Sequence, residues 1–187
     1  MLDPKSDILS ALYRMQREEA RALADSATSL TVWEAAALGR TEALERLLAG
    51  DPALANAFGA DGNTPLGLAC FFGAPAAVRS LLQNGASVGL AARNEMQVQP
   101  LHAAVAGRNA EAVALLLEHG ADVDARQQVG YTPLMSAASA GREDIADLLL
   151  ARGADPSLTS DDGKTAATIA VDHGHNALAE RLAGTRA

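Results

Sequence analysis

The chain has 187 residues, of which 49% are hydrophobic but only 3% aromatic, and it carries a formal net charge of −8. A core made of Ala and Leu favours close helix packing over a β-sandwich or barrel, and an acidic balance argues against a nucleic-acid or anionic-membrane surface. Cys70 is the single cysteine, which excludes a disulfide framework and a multi-thiolate metal site; no apolar run approaches the roughly 18 residues of a membrane span. The start, Met1-Leu2-Asp3-Pro4-Lys5-Ser6-Asp7, lacks a basic stretch followed by an apolar one, so no signal peptide and a cytoplasmic location are expected.

The first predicted element is a helix capped by Ser6 or Asp7 and running to about Ala24, with Ile8, Leu12 and Met15 on one stripe. Its expected role is to cover Trp33 and Leu38 as an N-terminal cap, with docking of a partner as the alternative. From residue 29 onward the chain repeats itself. Gly85-Ala86-Ser87, Gly120-Ala121-Asp122 and Gly153-Ala154-Asp155 recur in one register with Thr64-Pro65-Leu66, Gln99-Pro100-Leu101, Thr132-Pro133-Leu134 and Thr165-Ala166-Ala167, the last set at intervals of 35, 33 and 33 residues. Units are placed at about 29–62, 63–97, 98–130, 131–163 and 164–187, after an N-terminal segment 1–28. The first unit keeps Trp33-Glu34-Ala35-Ala36-Ala37-Leu38-Gly39 and a helix over Glu42–Leu48, whereas the fifth ends after a helix over Asn176–Leu182.

The fourth unit illustrates the chemistry. The Thr132 hydroxyl can accept from a free backbone N–H, and Pro133 fits the first helical turn, where its missing N–H costs nothing. A helix from Leu134 to about Ala140 turns at Gly141, and a second from about Glu143 to Arg152 buries Ile145, Leu148 and Leu149 before leaving through Gly153. An extended finger then makes a tight turn at Asp161-Asp162-Gly163. Ala69, Ala104, Ala137 and Ala170 share one helix position, small enough for neighbouring units to stack.

A period near 33 residues carrying a Thr-Pro-Leu-His box resembles the ankyrin-repeat family over about residues 29–187, with Gln99-Pro100-Leu101-His102-Ala103-Ala104 the nearest match to the box. The resemblance implies an all-α solenoid of stacked helix-turn-helix units with β-turn fingers, five in number, whose inner helices and fingers form a concave surface for a protein partner. It also implies a structural role for His102, in hydrogen bonds that tie adjacent repeats.

Departures from the pattern are where individual function is expected. The second finger is two residues longer than the third and fourth; its stretch Leu90–Val98, containing Arg93, Asn94, Glu95 and Met96, has no turn glycine near its tip. Recognition and simple loop-length drift both account for it. Gln99 replaces the capping threonine, and Arg108 stands where the other units have glycine, so Gly107 is expected to make that turn.

Chemistry is poorly supported. His119 suits the negative end of a helix, and the pair His173 and His175 lacks further ligands for a metal site. There is no phosphate-binding glycine loop and no nucleophile elbow, and no catalytic residue, metal or cofactor is expected. The slots expected to face the concavity include Phe71, Phe72, Ser139 and Ala140. Phe71 and Phe72 are expected to anchor a partner beside the Arg93–Met96 finger, although one ring of the pair folding down onto the first repeat as core is the competing expectation. Tyr131 and the polar finger residues Arg126, Gln127 and Gln128 extend the strip and its rim. The expected function is non-enzymatic protein–protein interaction by a monomer, with an acidic surface preferring a basic partner. A dedicated regulatory subunit of one enzyme, or a metal or small-molecule site in the last repeat, are the alternatives.

Overall fold

The computed structural model describes residues 6–184; the first five residues, on which part of the leader reading rests, and 185–187 lie outside it. Among the described residues there are twelve α-helices and no strand. After α1 (Asp7–Tyr13) and α2 (Arg17–Ser26), helices pair in series: α3 (Val32–Leu38) with α4 (Thr41–Gly50), α5 (Pro65–Phe72) with α6 (Pro75–Gln83), and α7 (Pro100–Ala106) with α8 (Ala110–Glu118). The series ends with α9 (Pro133–Ser139) and α10 (Glu143–Ala151), then α11 (Ala166–Asp172) and α12 (Asn176–Gly184). Inner helices stack on inner helices and outer on outer, so the array is a helical solenoid.

Each inner helix starts as its sequence dictates. The hydroxyls of Thr31, Thr64, Thr132 and Thr165 accept from the backbone N–H groups of Glu34, Gly67, Met135 and Thr168, and Pro65, Pro100 and Pro133 occupy first-turn positions. Ala36, Ala69, Ala104, Ala137 and Ala170 are fully buried, as the seam between stacked helices requires. Leu44, Leu66, Leu81, Leu101, Leu116, Leu134 and Leu149 fill the space between inner and outer layers in one continuous cluster. Burial of each such side chain stabilises by about 2 kcal/mol. On the outer surface Arg79–Glu111 (3.5 Å), Arg152–Glu118 (3.5 Å) and Arg181–Glu143 (2.8 Å) join successive outer helices. Exposed pairs of this kind stabilise by at most about 1 kcal/mol each, so the apolar seam dominates.

Two expectations are corrected. The N-terminal element is a helical hairpin and not one helix to Ala24: Met15 takes a left-handed φ of 62°, and its N–H and that of Gln16 bond back to the Leu12 and Ala11 carbonyls. Met15 consequently points to solvent at 69% exposure, while Ile8, Ala11 and Leu12 of α1 and Ala20 and Ala24 of α2 are brought onto one apolar patch. At the α7–α8 turn, Arg108 itself adopts the left-handed conformation (φ 56°), and Gly107 stays right-handed. Gly107 is required for another reason. A Cβ there would overlap the carbonyl oxygen of Phe71 on α5.

The longer second finger closes on itself through Ala92 N–H donating to the Val98 carbonyl. Its tip turns without glycine because the Asn94 side-chain oxygen accepts from the N–H groups of both Met96 and Gln97, and Gln97 takes φ 47°. The extra length before Thr64 is taken up by a short 3₁₀ turn, Pro52–Asn56, capped by Asp51.

Candidate interaction groove

Neighbouring fingers are joined tip to tip. Arg93 N–H donates to the Gly62 carbonyl (2.8 Å), the Asn94 amide to the Asp61 carbonyl (3.1 Å), and Asp161 N–H to the Val129 carbonyl (3.0 Å); the Gln128 amide donates to the Glu95 carbonyl. The Arg93 guanidinium lies 3.9 Å over the Phe58 ring. Arg126 donates to the Thr159 carbonyl at 2.6 Å and lies 3.8 Å from Asp161. The fingers thus form a continuous wall facing the inner helices.

Between that wall and α5, α7 and α9 lies a cavity of about 370 Å³. Phe71, Leu68, Met96, Val98, Ala103 and Ala106 supply its apolar surface, and Asn63, Asn94, Gln127 and Ser136 its polar one. Tyr13 lines it on the side of the first finger. Its hydroxyl donates to Asp61 Oδ2 at 2.6 Å and accepts from the Asn63 amide at 3.0 Å. Burial is the main reason the Tyr13 phenol is held well above its ordinary value, and the Asp61 carboxylate adds to it. Burial works against ionisation of Asp61 too, but the bonds from Tyr13 and Asn63 prevail and keep its carboxyl below the usual range.

Of the residues expected at the partner face, Phe71, Asn94, Met96 and Gln127 line this one cavity. Arg93, Glu95, Arg126 and Gln128 stand on the finger wall outside it. Tyr131 is half-buried and offers its carbonyl to His102, and Ser139 pairs with His173 Nε2 at 3.3 Å. Phe72 is not an exposed anchor. It is 5% exposed, packed among Ile8, Leu12, Ala37 and Leu68, with its ring 5.4 Å from that of Tyr13 and 5.1 Å from that of Phe71. The last turn of α5 aims it back toward α3, and the N-terminal hairpin covers it; Phe71, one residue earlier, stays 38% exposed.

Tyr13, Asn63 and Ser136 escaped the sequence reading. Tyr13 reaches the groove only because the chain reverses at Met15, and no periodicity announces that reversal. Asn63 had a usable signal in its place immediately before the Thr-Pro box, where the finger meets the helix.

His102 both ties adjacent units and lines the cavity, while Cys70, His173 and His175 are held in contacts outside it. His102 is buried, with Nε2 3.2 Å from the Tyr131 carbonyl of the next unit; burial lowers its pKa more than this bond raises it, so the ring is neutral and Nε2 is the donor. Among the described residues its Nδ1 has no hydrogen-bond partner. Cys70 is fully buried, and burial pushes its thiol far up, which leaves it inert. His173 is taken by Ser139, and the His175 ring lies against Gly141. Among the described residues no group of three or more His, Cys, Asp and Glu side chains is placed to hold a metal ion, and no helix is long and apolar enough to cross a membrane.

Serial helix pairs, tied fingers and a concave groove define a repeat solenoid of the class built for recognition. Residues 32–127, 90–160 and 126–186 each match the family described as ankyrin repeats (3 copies), and the chain belongs to the ankyrin-repeat family. No curated relative matches the sequence. Ankyrin repeats are generally protein–protein interaction modules, typically without enzymatic activity of their own.

Proposed function

We propose that the protein recognises a partner protein through its concave face, at the groove between the fingers and α5, α7 and α9. The observation that supports this reading best is the convergence of Phe71 and Met96, exposed at 38% and 57%, on a single cavity. Large apolar side chains left open to solvent inside a concavity are characteristic anchors of interfaces. Arg93, Glu95, Arg126 and Gln128 on the finger wall, with Tyr131 and Ser139 beyond it, supply a polar rim that tunes association, and the net charge of −8 favours partners with basic flanks. Phe72 has no part in contact and acts by holding the hairpin on the array.

The test is affinity capture from the source cell with mass spectrometry, comparing the intact protein with a Phe71→Ala/Met96→Ala variant. A partner held by the intact protein and lost by the variant is expected. Equal capture by both, with loss only when Arg79 and Glu111 on the outer helices are changed, would move the binding face to the convex side.

A further inference from the structure

We infer that the groove accepts one uncharged aromatic or long aliphatic side chain from an unstructured or extended partner segment, and that Tyr13 of the N-terminal hairpin is a specificity-determining wall of that pocket. The inference rests on the concave-face reading and adds what the face selects.

Charge is the first ground. In a chain with 15 Lys and Arg and 23 Asp and Glu, none of the described residues lining this cavity is one of them. The Asp61 carboxylate and the Arg93 guanidinium stand outside the lining, Asp61 bonded by Tyr13 and Asn63 and Arg93 over the Phe58 ring. A charged side chain entering the pocket would lose its water with no counter-charge among the described lining residues, and that desolvation is strongly unfavourable. The pocket therefore rejects acids and bases alike and selects a neutral anchor.

Size and polarity give the rest. A cavity of about 370 Å³ stands at the small end of ligand pockets, which run from roughly 300 to 1,000 Å³, so it suits one large side chain with its neighbouring backbone. The side chains of Gln127 and Ser136 line it without a hydrogen bond to other described residues, which leaves an amide and a hydroxyl to meet the backbone of an entering segment. Tyr13 sits outside the repeat array yet forms the wall on the side of the first finger, held there by Asp61, Asn63 and its ring contact with Phe72. Removing it takes away the wall on that side.

The experiment is selection of a phage-displayed library of random linear peptides on the full chain, with isothermal titration of the enriched peptides. The expected result is a shared Phe, Trp, Leu or Met anchor without an adjacent required charge. These peptides should bind roughly tenfold or more weakly to Ala106→Glu, which places a carboxylate at the exposed lip of the pocket, and to Tyr13→Ala. Tyr13→Phe should retain binding, because the wall is the ring; circular dichroism melting checks that each variant stays folded. A charged anchor, or affinities unchanged in Ala106→Glu and Tyr13→Ala, overturns the pocket assignment. So does a selection that enriches nothing over the Ala106→Glu protein. If the peptides instead lose binding on Arg126→Ala and Gln128→Ala alone, the pocket fails while the concave face stands. Loss only on outer-helix changes removes both.

Discussion

The hydroxyl of Tyr13 donates to Asp61 at 2.6 Å and thereby fastens the N-terminal hairpin to the finger of the first repeat. Together with the bond it accepts from the Asn63 amide, it joins an element outside the repeats to the wall of the groove, so the stability of the hairpin depends on that finger.

This bond has a pH signature. Asp61 is more acidic in the folded chain than in the unfolded one, so its contribution is complete above the unfolded carboxylate value of about 4 and fades as pH falls through the folded value. Tyr13 shifts the other way. Its raised phenol contributes fully below the unfolded value of about 10 and is lost as pH rises through the folded one. Tyr13→Phe should cost about 1 kcal/mol at neutral pH and flatten the decline of the melting temperature in acid. Melting curves recorded across the acid range check it, and equal acid sensitivity in the two proteins would refute it.

Phe71 and Phe72 should separate cleanly. Phe72→Ala removes the ring that α1, α3 and α5 share and should lower stability by about 3 kcal/mol, with the hairpin released to proteases first. Phe71→Ala should change stability by less than about 1 kcal/mol and act on binding. Urea titration with limited proteolysis distinguishes the two, and similar midpoints would mean that the hairpin does not depend on Phe72.

The repeats were legible because each landmark has a local cause. A capping threonine and a first-turn proline act within one unit and a small seam residue between neighbours, so their period exposes the helices to within a residue or so, as Pro65, Pro100, Pro133 and Ala166 demonstrate. The groove was only half legible. Phe71, Met96, Asn94 and Gln127 sit at positions the repeat geometry orients, whereas Tyr13 and the burial of Phe72 depend on a chain reversal at a left-handed methionine. Methionine has no preference for that conformation, so the sequence carries no sign of it.

Gln99 marks a removable weakness. It leaves α7 without a side-chain cap, while the four other inner helices have a threonine accepting from the third backbone N–H. Gln99→Thr should restore the bond to the His102 N–H and raise stability by about 1 kcal/mol. A denaturation midpoint that does not rise would show that the α7 terminus is already satisfied by other means.

Gly107 and Arg108 should respond oppositely to what their identities suggest. Arg108 holds φ 56°, where a side chain crowds the backbone, so Arg108→Gly should relieve strain by about 1 kcal/mol, offset in part by the greater freedom of glycine in the unfolded chain. The bond from Arg142 to the Arg108 carbonyl (3.1 Å) uses the backbone and survives the change. Gly107 has an ordinary helical φ of −72°, and by conformation alone Gly107→Ala would be favourable. Its Cβ, however, would press into the Phe71 and Cys70 carbonyls at the end of α5, rigid backbone that cannot yield without moving the seam. Gly107→Ala should therefore destabilise by about 2 kcal/mol, and because α5 carries Phe71 it should also weaken partner binding. A Gly107→Ala protein as stable as the parent would mean that α5 and α7 pack less closely than this contact requires, and that the cavity between them is correspondingly wider.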